Sequence, residues 1–408
     1  MDHCDVIVVG GGIAGSALAS VLAGAGVEVL LLDTVTEYRD RVRGEYLQPW
    51  GVAEMLRMQL QTVLLEAGGG WCRRMIGYSE GVNPAAAEAE AVPLGAMVPG
   101  APGGLCVGYP QASEALNATA SARGAVVRRG VTAVEVIGGR EPRVSFAYQG
   151  VVHEMACRLV VGADGRQSIV RRALAIDLHI VRSKATLGGM LVRADGWFTD
   201  AAIIGVEGNR HFLAFPRPGG WVRLYVCRLL SDLPVGSDRA GHMLDAYHLA
   251  CVPGSERLAT AVQAGPCAYF PGSDAWTDVP VTDGAVLIGD AAGWSDPILG
   301  CGLSIALRDA RSVADVVLSG NDWSPEAFSD YVTERAERMR RLRVCAHLST
   351  ELQCTFTPPG AERRRAFKRR MATDPLVRAL RTFALTGADA VPAEAFSDDV
   401  VTNALAFA

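Results

Sequence analysis

The chain opens on a short apolar run, Asp5-Val-Ile-Val-Val9, that stops at Gly10-Gly11-Gly12. A β-branched run of this length, closed by glycine, predicts a buried parallel strand. Ile13 to Ala25 is uncharged and rich in Ala and Leu, which suits a helix packed closely on a sheet, and Gly26 ends it. Val27-Glu-Val-Leu-Leu-Leu-Asp33 reads as the next strand, so residues 5–33 form one β-α-β unit. The same kind of strand returns at Arg158-Leu-Val-Val-Gly162 and at Ala285-Val-Leu-Ile-Gly-Asp290, the latter followed by a long helix from about Leu303 to Ser319. Between these, alternation predicts an antiparallel sheet with strands near 187–194, 202–206, 211–216 and 221–227. Further strands are expected at 125–137, 143–148 and 151–155, a helix at 110–123, loops at 81–104, and a helix or two at 239–264. From Pro325 onward the pattern is helical and charged.

The expected fold class is therefore α/β: a Rossmann-like doubly wound domain, interrupted by an antiparallel-sheet domain and followed by a helical C-terminal tail. Residues 1–72, 99–180 and 275–340 are assigned to the first domain, 73–98 and 181–274 to the insert, and 341–408 to the tail. Half of the 408 residues are apolar and 20% are charged, an ordinary globular composition. A net charge of -5 argues against a nucleic-acid partner. The ten cysteines form no Cys-x-x-Cys pair and do not cluster with histidine, which predicts reduced thiols, no metal site and a cytoplasmic location. Val6 to Val27 is uncharged for 22 residues, long enough for a membrane span. The interrupting glycines, and the absence of Lys or Arg before it, favour a strand, a turn and a buried helix instead, with neither a transmembrane segment nor a signal peptide.

Three separated motifs carry the chemistry. Gly10-Gly11-Gly12-Ile13-Ala14-Gly15 reads G-x-G-x-x-G between a strand and a helix. Gly10 permits the tight turn, Gly12 lets backbone approach a pyrophosphate, and Gly15 lets helix and strand pack closely. Phosphates then meet the free N–H groups at the helix N-terminus, around Ile13 and Ala14. Asp33, at the end of the second strand, is placed to accept from an adenosine ribose. The second motif is Gly162-Ala163-Asp164-Gly165; on its own it is no more than a turn. The third runs Gly289-Asp290-Ala-Ala-Gly-Trp-Ser-Asp-Pro297-Ile-Leu-Gly300-Cys-Gly302-Leu303-Ser304. Its small residues leave room for a flat or extended group, Asp290 can accept from a hydroxyl chain, and a helix N-terminus at 302–304 can stabilise an anion or an electron-rich ring.

In this order and spacing the three motifs resemble the flavoprotein monooxygenases of the para-hydroxybenzoate hydroxylase fold, with their geranylgeranyl reductase and halogenase relatives. The resemblance covers roughly residues 1–340 and implies an FAD-binding domain with an inserted substrate domain. It implies that Gly10, Gly12 and Gly15 hold the FAD pyrophosphate, Asp33 the ribose, and Asp290, with Gly289, the ribityl chain. Arg43, Gln111 and Asp164 match further FAD contacts. Pro297, Gly300, Gly302 and Leu303 would shape the flavin pocket. The implied reaction is NADPH- or NADH- and O2-dependent hydroxylation or epoxidation of a small hydrophobic substrate through a flavin C4a-hydroperoxide, in secondary metabolism. The cofactor does that chemistry and the protein keeps it dry and oriented. Leu191, Phe198, Ile203, Phe212, Phe215, Trp221 and Tyr225 of the middle sheet can wall such a site, with Phe212, Phe215, Trp221 and Tyr225 as the substrate candidates. His211, Tyr225 and Tyr46 are candidate bases by position.

Two departures open alternatives. Aromatic hydroxylases of this type often carry His where Gly293 stands and Pro where Asp296 stands, so the motif is closer to the reductase branch. A flavin oxidoreductase without oxygen insertion and a flavin-bound non-redox cyclase thus remain alternatives. The halogenase Trp-x-Trp-x-Ile-Pro signature is absent. Residues 335–370 hold eleven Arg or Lys against three acids, a local net of +8. That run reads as a solvated helix face or as a surface for an acidic carrier protein, a CoA-linked substrate or an anionic membrane.

Overall fold

The structure is a computed structural model and describes residues 2–42, 44–233, 236 and 238–407. Strand β1 (Asp2–Val9) runs between β2 (Val29–Asp33) and β3 (Val151–Gly162), parallel to both. Ala285–Leu287 continues the sheet beside β3, and Val126–Arg129 continues it beside β2, again in parallel. The apolar run of β1 has no polar alternation because both faces are covered. Val6 and Val8 enter a core with helices α1 (Ile13–Gly24), α2 (Tyr109–Ala122) and α3 (Gly302–Ser319). Ile7 and Val9 enter a second core with Val144, Phe146 and Val160.

The second sheet has seven strands. β4 (His179–Arg193), β5 (Ala201–Glu207), β6 (Arg210–Arg217), β7 (Trp221–Leu229) and β8 (Val262–Trp276) are ordered β8-β4-β7-β6-β5, followed by Arg74–Ser79 and Val92–Pro93. Its strands pair antiparallel, except that β5 runs parallel to Arg74–Ser79. The tail consists of α4 (Ser329–Gln353), α5 (Pro358–Thr373) and α6 (Pro375–Thr386), with two short turns and a last helix, Asp398–Leu405, beyond. Leu342, Leu348, Phe367, Leu380 and Phe383 of these helices share one core with Leu187, Leu213, Phe215 and Tyr225 of the second sheet.

Several expected elements change shape. The strand at 125–137 is two strands, broken at Gly130 with φ +77°. The helical reading of 239–264 holds for Arg239–Asp245 and Glu256–Ala259, but β8 begins at Val262. Pro266 and Pro271 disguised that strand; β8 lies at the sheet edge, where a missing N–H is tolerated. Residues 81–104 are not all loop: Pro84–Ala89 is helical. No helix among the described residues is long and apolar enough to cross a membrane.

Candidate active site

A cavity of about 550 Å³ runs from the Gly10–Ala14 turn, past Asp290 and Pro297–Leu303, to the tail residues Phe367, Leu380 and Leu385. Its first end is built by backbone. Gly10 has φ +111°, and a Cβ there would collide with the Ala163 carbonyl. A Cβ on Gly15 would overlap the Gly10 carbonyl oxygen, so only glycine lets α1 approach β1 this closely. A Cβ on Gly12 would meet nothing nearer than Tyr109 Oη at 3.8 Å: that position has room, and the room faces the cavity. No side chain caps α1, so the first-turn N–H groups at Ile13 and Ala14 are left for an anion.

Asp33 is buried and lines the cavity. Its Oδ1 accepts from the Val35 N–H (3.1 Å) and its Oδ2 from Tyr38 Oη (2.7 Å), which orients both oxygens. Asp164 accepts through one oxygen from the N–H groups of Ile169 (2.6 Å) and Val170 (3.2 Å), while its Oδ1 is buried with no partner. Burial pushes this carboxyl above the usual carboxylate range, against those two bonds. Asp290 accepts from Arg166 Nε at 3.2 Å, and that guanidinium lies 4.8 Å from the Trp294 ring centroid. Gly300 is left-handed (φ +62°), and a Cβ on Gly302 would meet nothing within 4 Å. Gly289, Pro297, Gly300, Gly302 and Leu303 all line the same cavity. Arg43 lies outside the described residues; Arg41 lines the cavity, 5.5 Å from the Tyr109 ring. Gln111 is exposed at the start of α2, outside the lining.

The second end is walled by side chains. On β6 the two-residue period sends His211, Leu213 and Phe215 to the cavity, and Phe212 and Ala214 to the opposite core with Met243 and Tyr247. Phe212 is thus not a wall residue. Trp221 shares a face with Tyr225 but sits at the far end of β7, beneath the Arg193 guanidinium and outside the cavity. Ile203 and Phe198 also belong to the opposite core, and Leu191 is outside the lining. Phe215 and Tyr225 do line it, with Tyr46 stacked on Phe215 at 4.6 Å. His211 Nδ1 lies 2.9 Å from the Gly205 carbonyl, which assigns the proton to Nδ1 and leaves Nε2 an acceptor. Burial first, then the charges of Arg381 and Arg364, pull its pKa down to about 4. His211 is therefore neutral at pH 7 and poorly matched to general-base work, which is most efficient near the operating pH.

Other contributors were not legible in the motifs. Gln48 donates through Nε2, beside Gly300, to the Leu299 carbonyl (2.9 Å), and its Oε1 is buried and unpartnered. Glu45 lines the cavity and is held by Arg223 (2.6 Å) and Arg217 (3.3 Å). Asp309, fully buried on α3, accepts from the Gly289 N–H (2.8 Å), Arg335 (2.9 Å) and Arg338 (2.6 Å). Arg335 also donates to the carbonyls of Gly289, Ala292 and Gly293. The basic tail is therefore not simply a solvated face. Arg335 and Arg338 are buried, Arg364 donates to the carbonyls of Leu352 and Thr355, and Arg370 to those of Ala406 and Phe407. Within the two clusters at 363–365 and 368–370, Arg365, Lys368 and Arg369 are exposed.

The motif departures also find structural causes. A Cβ on Gly293 would collide with the Ala275 carbonyl, so backbone packing demands the glycine. Asp296 caps the following turn, accepting from the Ile298 N–H at 2.9 Å. All ten cysteines are free and nine are buried. Cys301 is one of them, its thiol pushed up to about 12 by burial. Among the described residues no group of three or more His, Cys, Asp or Glu side chains is arranged to hold a metal.

An uncapped helix N-terminus, a cleared pyrophosphate position and oriented carboxylates along one cavity form a site that FAD fits. Residues 3–344 match the family described as FAD binding domain, and the chain belongs to it; it is an FAD-dependent oxidoreductase. Among its relatives, the menaquinone reductase of Mycolicibacterium smegmatis is 27% identical over 370 residues, 86% of this chain and 87% of that one. The rifampicin monooxygenase of Streptomyces venezuelae is 27% identical over 382 residues, 90% of this chain and 74% of that one. Among solved structures, the p-nitrophenol 4-monooxygenase PnpA of Pseudomonas putida DLL-E4 has the same fold. Its TM-score is 0.77 at 18% identity, covering 95% of this chain and 99% of that one.

Proposed function

We propose that the protein is a monooxygenase that uses FAD, NADPH or NADH, and O2 to hydroxylate or epoxidise a small organic substrate. The observation that carries this is the continuity of the cavity: one space joins the dinucleotide turn to a chamber walled by Tyr46, Leu187, Leu213, Phe215 and Tyr225 and roofed by the tail helices. Bound FAD supplies the transfer of electrons from the nicotinamide and the activation of oxygen. Gly10, Gly12, Ile13, Ala14 and Gly15 would hold its pyrophosphate, Asp33 its ribose, and Gly289 and Asp290 its ribityl chain. Asp164 and Gln48 would satisfy their free oxygens on it. Gly300, Gly302 and Leu303 open α3 towards the ring, and Pro297 shapes the pocket edge. The aromatic wall and the tail helices exclude water, which oxygen transfer requires. The neutral His211 offers an acceptor at Nε2 and so positions a donor rather than carrying charge.

A reductase reading is favoured by the menaquinone reductase relatives. Gly293 and Asp296 favour the same reading by motif, and each also has a packing or capping role. The deciding experiment gives the FAD-loaded protein NADPH or NADH under 18O2 with phenols, polyketides and isoprenoids. Substrate-dependent oxygen uptake with 18O in the product is expected. Saturation of a double bond under anaerobic conditions, with no 18O incorporated in air, would replace this reading with the reductase.

A further inference from the structure

Arg381 lies on α6, within the cavity lining. Its side chain is exposed, although protein atoms crowd it, and it lines the cavity. No hydrogen bond or ion pair within the described residues engages its guanidinium. Burial alone, with no carboxylate to offset it, pulls its pKa below the usual arginine value. Its neighbours along the lining are Phe367, Leu380, Ala384 and Leu385. A guanidinium that lines an apolar stretch of cavity with no protein partner is free to pair with a ligand there.

The position is close to the reaction centre. Ala384, one helical turn or about 4.5 Å of rise further on, accepts through its carbonyl from Trp50 Nε1 (3.0 Å) and meets Cys301 Sγ (3.8 Å). Cys301 precedes Gly302 at the opening of α3. The other charges nearby are already answered. Arg364 is engaged on two backbone carbonyls, and Glu45 is held by Arg217 and Arg223. His211 is neutral, so at the far end Arg381 is the lining guanidinium left unengaged among the described residues. A carboxylate matches one guanidinium in charge and in its two-pronged geometry, whereas a phosphate dianion would need a second cation.

We propose that Arg381 is a substrate-recognition residue and that the substrate is an amphipathic organic acid whose carboxylate pairs with it, the apolar remainder filling the chamber towards α3. This rests on the monooxygenase reading of the same cavity and narrows the small hydrophobic substrate expected from sequence to an acid.

The test is binding, read from the flavin absorbance difference spectrum of the FAD-loaded protein at low ionic strength. The probes are 1-naphthoate and dodecanoate against 1-naphthamide and dodecanamide. In the native protein at least one acid should bind about tenfold or more tighter than its amide, as a charge-assisted hydrogen-bond pair implies. Arg381→Met should bring that acid's Kd to the amide's and leave the amide's unchanged, and Arg381→Lys should fall between. Equal affinity of acid and amide, no acid binding at all, or a preference that survives Arg381→Met would overturn the proposal. Substrate-dependent oxygen uptake with a neutral compound would reject the acid and leave the monooxygenase reading standing.

Discussion

The two ends of the cavity use arginine in opposite ways. At the flavin end, Arg335 and Arg338 are buried; Asp309 pairs with both, Glu334 also pairs with Arg338, and the carbonyls of the Gly289–Gly293 loop accept from Arg335. At the tail end, Arg381 lines the cavity and no hydrogen bond or ion pair from the described residues answers it. The first arrangement fixes the shape of backbone. The second leaves a charge free for something that is not part of the chain. Both sets come from the same helical tail, so residue type and local sequence alone do not separate scaffold from recognition; the presence of an acid does.

The strongest way to break this comparison is Arg335→Met. It leaves Asp309 short of a partner in the interior and frees three loop carbonyls, so unfolding free energy should fall by about 3–5 kcal/mol, with FAD lost alongside. Urea denaturation and flavin content measure both. A loss below about 1 kcal/mol would mean that the cluster behaves like a surface pair and is not scaffold. Next comes a pair of glycine substitutions. Gly15→Ala forces a Cβ into the Gly10 carbonyl and should cost about 1–3 kcal/mol of stability. Gly12→Ala has room in the protein, so it should fold normally and lose FAD affinity only. Equal stability of the two variants would show that the helix can shift away from β1.

These pairs also show what could be read in advance. The flavin end was legible because its constraints are local: a glycine must stand where φ is positive or where helix meets strand, and Gly10, Gly15, Asp33 and Asp290 announce themselves within a few residues of a strand end. Contacts made across the fold were not. Arg335 finds Asp309 across 26 residues, and Arg223 finds Glu45 across 178. Periodicity says which face of a strand turns inward but not which of two cores receives it, which is why Phe212 was expected in the chamber that His211, Leu213 and Phe215 line. A dense basic run looks alike whether its charges reach water, carbonyls or a cavity.

A smaller effect tests whether the flavin end is as fully paired as the comparison holds. Burial, then the nearby Asp296, raises the Asp274 carboxyl from 3.8 to about 7. The folded state thus binds a proton that the unfolded state releases near pH 4, so stability falls as pH rises from about 4 to about 7 and is level above. Asp274→Asn keeps the acceptor for the Asp296 N–H and removes the charge. Its Tm should match the native protein near pH 4 and exceed it by a few degrees at pH 8, by about 2 kcal/mol or less. Identical Tm-against-pH curves would mean that Arg343, the nearest cation, already balances Asp274.

The least change is expected where the contrast is sharpest. Arg381→Met removes an unpaired cation from the cavity lining and keeps an unbranched apolar side chain among Phe367, Leu380 and Leu385. If nothing in the folded chain answers that charge, its removal should leave Tm unchanged or raise stability by about 1 kcal/mol. The sign is opposite to that of Arg335→Met, although both replace an arginine of the same tail by the same residue. If Arg381→Met instead destabilises the protein in the absence of any substrate, the guanidinium has a partner within the chain, and the two ends of the cavity are alike after all.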